Sequence, residues 1–167
     1  MVAGQSRVWL ALTAVLALGL SVGACARHNT ESDLASGAGY AAAGPGSVQE
    51  FNQTVGDRVF FDTDQTDLSP TAQGTLDKQA AWLNQYNRYT FTIEGHADER
   101  GTREYNFALG ARRAQAVHDY LAAKGVSPSR MKTISYGKER PVAVCDDISC
   151  WSQNRRAVTV LNGAPGS

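Results

Sequence analysis

The stretch that most limits what this chain can fold into runs from Gly95 to Val117, because it sets an arginine inside an apolar stripe. Gly95-His96-Ala97-Asp98-Glu99-Arg100-Gly101-Thr102-Arg103-Glu104-Tyr105-Asn106, continuing through Leu109, Gly110, Arg112, Arg113 and Val117, reads as a loop feeding a helix. At about 100° per residue, Tyr105, Leu109, Ala116, Val117, Tyr120 and Leu121 share one apolar face, with Gln115, His118 and Asp119 opposite. Arg113 falls within that face. A guanidinium keeps its proton, so once desolvated between Leu109 and Val117 it calls for an anion close by, either an internal carboxylate or a ligand.

Asp98 lies fifteen residues upstream, in the loop before the same helix, where free backbone N–H groups and the positive end of the helix dipole gather. Asp98 and Arg113 together suit a zwitterion, the carboxylate taking an ammonium and the guanidinium gripping a carboxylate as a fork. Asn106, seven positions before Arg113 and on nearly the same helix face, can both donate and accept. Gly110 between them leaves room for something to lie against the backbone. The competing reading is an internal Asp98–Arg113 salt bridge that locks loop to helix, and the spacing alone leaves both open.

The remaining elements follow from pattern. Arg58-Val59-Phe60-Phe61-Asp62 is a short strand that ends in the polar turn Asp62-Thr63-Asp64-Gln65-Thr66-Asp67. The alternating aspartates fail the EF-hand calcium pattern, since the twelfth position from Asp62 is Gln73. Ser69-Pro70 starts a helix, with Ala72, Leu76, Ala80 and Leu83 at helical spacing to about Tyr86. Tyr89 to Glu94 alternates with period two, a strand with one buried face. The helix of the opening stretch runs from about Arg103 to Lys124 and is stopped by Gly125 and Pro128. Met131–Tyr136 and Ala157–Leu161 supply two further strands. The order implies an α+β or α/β sandwich with both helices on one face of a small sheet, and periodicity leaves the strand order open.

The residues Gly95 to Thr102, Tyr105-Asn106, Leu109-Gly110 and Arg112-Arg113-Ala114 resemble the OmpA-like peptidoglycan-binding domain, over roughly residues 48–162. The resemblance implies a mixed sheet in a β/α/β/α/β arrangement. It implies that Asp98 and Arg113 clasp the amino and carboxylate groups of diaminopimelate in the peptidoglycan stem peptide, with Asn106 in support and Asp62 at the rim of the pocket. It also implies peptidoglycan, TolB and TolA as partners, and a role in constricting the outer membrane at division. One departure is Ala97, where the family usually has Thr.

At 167 residues and 43% hydrophobic content, the chain holds one modest core. Its formal net charge of zero excludes the broad basic field of a nucleic-acid binder. Residues 1–24 carry Arg7 and an apolar run from Val8 to Val22, an export signal too short for the roughly 20 residues of a spanning helix. Val22-Gly23-Ala24-Cys25 resembles the bacterial lipobox, which implies acylation of Cys25 and cleavage before it, and Ala26 in place of Asp implies passage to the outer membrane. Acyl chains contribute about 0.8 kcal/mol per buried CH₂, so several of them anchor a protein firmly. Residues 25–47, rich in Ala, Gly and Ser, read as the lipidated Cys and a tether, whose r.m.s. span is about 25–28 Å and whose limit is about 75 Å. The folded domain is expected over 48–167.

Of three cysteines, Cys25 is assigned to lipid, which leaves Cys145 and Cys150 to form a disulfide in an exported protein. A zinc half-site lacks a second pair of ligands nearby. His96, Asp98 and Glu99 offer acid/base groups, but no nucleophile or third ligand stands at a recognisable spacing. The sequence therefore points to a binding module with no catalytic residue, cofactor or metal. A lipoprotein whose domain chiefly binds a protein through the same face is the alternative.

Overall fold

The structure, a computed structural model, describes residues 44–163. The expected export signal, Cys25 and most of the tether lie outside the described residues. The elements run in the order α1 (Val48–Glu50), a π-helical stretch Phe51–Gly56, β1 (Arg58–Phe60), α2 (Pro70–Gln85), β2 (Phe91–His96), α3 (Arg103–Ala123), a 3₁₀ turn Pro128–Arg130, β3 (Met131–Gly137), α4 (Ile148–Asn154) and β4 (Arg156–Leu161). The four strands form one mixed sheet in the order β1-β4-β2-β3. Strand β2 pairs parallel with β3, Ile93 opposite Thr133, and antiparallel with β4, Glu94 opposite Val158. Strand β1 lies antiparallel to β4, Val59 opposite Ala157. The α+β class and the mixed sheet agree with the expectation, and the chain order β2–α3–β3 supplies the crossover that a parallel pair needs.

Local chemistry sets the helix ends. Ser69 Oγ accepts from the Ala72 N–H at 3.2 Å and Pro70 occupies the first turn, while Thr102 caps α3 through the Tyr105 N–H. At the other end of α3, Gly125 sits at φ 89°. The Val126 N–H reaches the Leu121 carbonyl at 3.1 Å and the Gly125 N–H reaches Ala122 at 3.0 Å, the paired bonds of a Schellman stop. Helices α2 and α3 pack on one face of the sheet, where Leu76, Leu83, Val117 and Leu121 meet Phe91 and Ile93 in a core closed to solvent. A truncation of any of these to Ala costs about 2–5 kcal/mol.

Several expectations are corrected. Tyr105 is 44% exposed and lies off the core stripe. The buried face of α3 is Asn106, Leu109, Gly110, Arg113, Ala114, Val117 and Leu121, rotated toward a close approach that aromatic side chains would prevent. That approach is backbone on backbone. A Cβ on Gly95 would overlap the Gly110 carbonyl, so the space beside Gly110 is filled by β2 and not by a ligand. Strand β1 stops at Phe60, and Phe60 is 49% exposed, because alternate residues of the apolar run face away from the helices. Elements α1 and α4 were not foreseen; both are short and lack a helical apolar repeat. The last residues of the expected tether are already fastened, since the Gly46 carbonyl accepts from Tyr89 Oη and from Arg88 Nη2, both at 2.7 Å. Cys145 and Cys150 are disulfide-bonded with Cα atoms 5.7 Å apart.

His96, at the end of β2, is 2% exposed and stacks near Tyr136, with ring centres 5.6 Å apart. Burial, then the charges of Arg156 and Arg140, push its pKa down from 6.5 to about 4, although Glu94 stands 3.7 Å away. The folded imidazole is therefore neutral.

Two outcomes are expected. Gly110→Ala brings a methyl carbon 2.8 Å from the Gly95 carbonyl oxygen. It should lower stability by about 1–3 kcal/mol, read as a lower urea midpoint at constant m value. An unchanged midpoint would show that β2 and α3 part at no cost. For His96, the unfolded chain takes up a proton near pH 6.5 that the folded chain refuses until about pH 4. Stability is thus complete above that window and is lost as pH falls through it. His96→Gln should flatten this acid-side decline, and parallel urea-midpoint curves for the two proteins would refute a neutral buried imidazole.

Candidate functional site

Arg113 leaves α3 into the interior and is fully buried. Its Nε–H donates to the Gln65 carbonyl at 2.9 Å, Nη1–H to the His96 carbonyl at 2.8 Å and Nη2–H to the Asp62 carbonyl at 3.1 Å. The guanidinium also lies 5.1 Å from the centre of the Phe61 ring. One side chain thus ties the β1–α2 loop to the end of β2. Of the two readings left open, the internal carboxylate is not bonded to Arg113 among the described residues, and three backbone carbonyls are its partners. Burial, then the neighbouring charge of Arg155, press the Arg113 pKa down to about 10, which leaves the group protonated at neutral pH.

Asp98 does not pair with Arg113. Its Oδ2 accepts from Arg100 Nη2 at 2.7 Å and from Arg155 Nη1 at 3.2 Å, while Oδ1 accepts from the Arg100 N–H and Nε–H, each at 3.2 Å. Burial raises the carboxyl pKa, but these hydrogen bonds outweigh it and hold Asp98 below the usual carboxylate range. Arg155 is itself 6% exposed and donates Nε–H to the Phe61 carbonyl at 3.0 Å. The internal Asp98–Arg113 bridge is therefore not formed. Arg155 reaches Asp98 instead, because β4 lies between β1 and β2 and delivers its first residues beside both loops.

Asn106 is buried and its Nδ2–H donates to the Arg100 carbonyl at 2.7 Å, so it shapes the loop over α3. Ala97, where the family usually has Thr, is 3% exposed with its N–H bonded to the Gly137 carbonyl. Asp62 gives Arg113 its carbonyl, while its exposed side chain lines a neighbouring groove with Asp67, Ser69 and Arg155. The two loops enclose a separate cleft of about 190 Å³, lined by Thr63, Asp64, Asp98, Arg100, Gly101 and Tyr105. Asp64 stands at φ 56°, a left-handed conformation that Asp tolerates, and accepts from Tyr105 Oη at 3.3 Å.

The structure thus brings together Asp98, Asn106, Arg113 and the backbone of Asp62, and sets the Asp62 carboxylate apart. It adds Asp64, Arg100, Tyr105 and Arg155. Asp64 was legible as part of the aspartate turn, and Arg155 as a charge abutting an apolar strand, the same signal as Arg113. Tyr105 was hidden by its apolar ring. Chemically the arrangement is a cleft lined by the Asp64 carboxylate and the Asp98–Arg100 ion pair, with the buried Arg113 guanidinium nearby. Among the described residues no group of three His, Cys, Asp or Glu side chains is placed to hold a metal ion.

The OmpA family matches residues 60–155. A protein named peptidoglycan-associated lipoprotein from Rhizobium meliloti is 63% identical over 96% of this chain and 90% of its own length. One of the same name from Mesorhizobium japonicum is 62% identical over 96% and 94%. The crystal structure of the peptidoglycan-associated lipoprotein from Burkholderia pseudomallei superposes with a TM-score of 0.64 at 39% identity, covering 66% of this chain and 96% of that one. The C-terminal domain of Helicobacter pylori MotB, at 21% identity and a TM-score of 0.61, shares the fold. This chain belongs to the OmpA family, among the peptidoglycan-associated lipoproteins.

Proposed function

We propose that the protein is an outer-membrane lipoprotein that holds peptidoglycan non-covalently through the diaminopimelate of the stem peptide. The observation that carries this reading is the charge layout of the site. The Arg113 guanidinium is buried on carbonyls with no bonded carboxylate, while Asp64, Asp98 and Arg100 line a nearby cleft. A zwitterion with an ammonium toward the mouth and a carboxylate toward the interior complements that layout. Asp98 takes the ammonium, Arg113 draws the carboxylate, Asn106 keeps the loop in shape, and Asp62 steers from the rim. A carboxylate is a stronger acceptor for the guanidinium than a carbonyl, so entry of the ligand is favoured over the Gln65 contact. The names and high identity of the relatives support the peptidoglycan reading. The domain acts by binding and turns over no substrate.

Residues 1–24 act as the export signal, Cys25 carries the acyl chains, and the following residues let the domain reach the wall from the periplasmic side of the outer membrane. In this reading the protein works within the Tol-Pal system, with TolB and TolA as partners, to maintain the outer membrane and to draw it inward at division.

Asp98→Asn removes a charge-assisted contact and should weaken binding to purified sacculi by about 1.5–3 kcal/mol, roughly tenfold to two-hundredfold. Arg113→Lys should bind poorly as well, because an ammonium lacks the fork. Arg113→Leu should in addition melt lower, since three side-chain hydrogen bonds that tie the loop to the end of β2 are lost. Wild-type protein should prefer walls with diaminopimelate over walls with lysine at that position, because only the former presents the extra carboxylate. Equal sedimentation with both walls, or retention of pure sacculi by folded Asp98→Asn, moves the site elsewhere and favours a protein partner on this face. For the anchor, Cys25→Ser should accumulate as an unprocessed precursor, and palmitate labelling of that variant would show the lipobox reading to be wrong.

A further inference from the structure

Two of the cleft's charged groups are held by residues far away in the chain, on α4 and just after it. The Arg100 guanidinium lies 4.2 Å from the centre of the Trp151 ring while it donates to Asp98. The indole Nε1–H of Trp151 donates to the Glu99 carboxylate, so the ring is fixed by both its face and its edge. Four residues on, Arg155 reaches Asp98 Oδ2. Helix α4 has seven residues, too few to stand alone in water.

Apolar burial does little here, since Val144 before the helix is 88% exposed and Ile148, its first residue, 60%. Specific ties hold the segment and the helix. Cys145 is bonded to Cys150, the residue before Trp151, and Asp147 caps the helix through the Ser149 N–H at 2.7 Å. At the far end Asn154 accepts from the Val142 and Ala143 N–H groups at 2.9 and 3.2 Å and donates to the Ala143 carbonyl at 2.8 Å.

We propose that the Cys145–Cys150 bridge and Trp151 form a positioning device for the ligand cleft. The bridge holds α4, α4 holds the indole against Arg100, and the fixed Arg100 forms a wall of the cleft beside Asp98. The Arg100 side chain is 41% exposed, and a long exposed side chain otherwise loses rotamer freedom when a ligand arrives. Fixing it beforehand removes that cost. Trp151 and both cysteines act through Arg100 and touch no ligand. The proposal rests on the diaminopimelate reading of the cleft.

The test uses full-length protein in detergent, with two readouts. The first is the ligand-free Arg100 Nε–H resonance, which the indole ring current shifts upfield in the wild type. Trp151→Leu and the double variant Cys145→Ser/Cys150→Ser should return it toward the position of a free arginine, and Trp151→Phe, which keeps a ring face, should retain most of the shift. The second is titration with the tripeptide L-Ala-D-Glu-meso-diaminopimelate. The leucine and double serine variants should bind about three- to tenfold more weakly, and the phenylalanine variant close to wild type.

An unmoved Arg100 signal in Trp151→Leu overturns the positioning role. A moved signal with wild-type affinity overturns its link to binding. Wild-type protein that ignores the tripeptide while its Arg100 signal responds to Trp151 refutes the ligand reading and leaves the positioning intact. If Trp151→Leu does not fold, Glu99→Ala removes the acceptor of the indole N–H and should shift the same resonance partway; a resonance unmoved there overturns the proposal as well.

Discussion

A guanidinium taken wholly out of water holds the functional end of this domain together. Desolvating a permanent cation costs several kcal/mol unless hydrogen bonds replace its hydration, and Arg113 recovers them from three carbonyls on two separate segments. Those carbonyls belong to irregular backbone at Asp62 and Gln65 and to the end of β2 at His96. The cation and the loops therefore stabilise one another. Removing either costs the other these hydrogen bonds, which couples the loop geometry around the cleft to the position of Arg113.

The depth at which Arg113 sits depends on a contact one turn earlier. Gly110 meets Gly95 backbone to backbone, which draws α3 onto β2 more closely than any side chain would permit. Ser135 on β3 seals the same junction, donating from Oγ to the Phe107 carbonyl at 2.6 Å. With α3 fixed in height and rotation, Arg113 meets the strand end and Asn106 meets the loop. The core of Phe91, Ile93, Val117 and Leu121 supplies the bulk of the apolar burial. The glycine pair decides the alignment.

Charge around the cleft is arranged in two tiers. Asp98 is held by Arg100 and Arg155, and its carboxylate stays ionised despite burial. Arg113 stands behind without a carboxylate of its own. Burial, then the charge of Arg155, depress its pKa, and Asp98 and Asp64 nearby act in the opposite direction. The cleft therefore carries both signs of charge in its lining, Asp64 and Asp98 beside Arg100, with Arg113 buried nearby.

Much of this was legible in one dimension. Ser69-Pro70 announced the start of α2, Gly125 the end of α3, and alternation at Phe91 and Ile93 the buried face of β2, because capping and side-chain periodicity are local properties of the chain. An arginine in an apolar stripe likewise announced that Arg113 would be buried with partners, and the Asp98 and Asn106 positions announced their place beside it. The identity of those partners was not legible. Sequence spacing placed Asp98 opposite Arg113, whereas Arg155, fifty-seven residues beyond Asp98, takes that place. The sheet order β1-β4-β2-β3 brings the last strand between the first two, and strand order is a choice among pairings of equal local quality. The side on which Tyr105 lies, the carbonyls that replace the expected anion and the indole under Arg100 all follow from that same long-range choice, which only the packed tertiary structure makes.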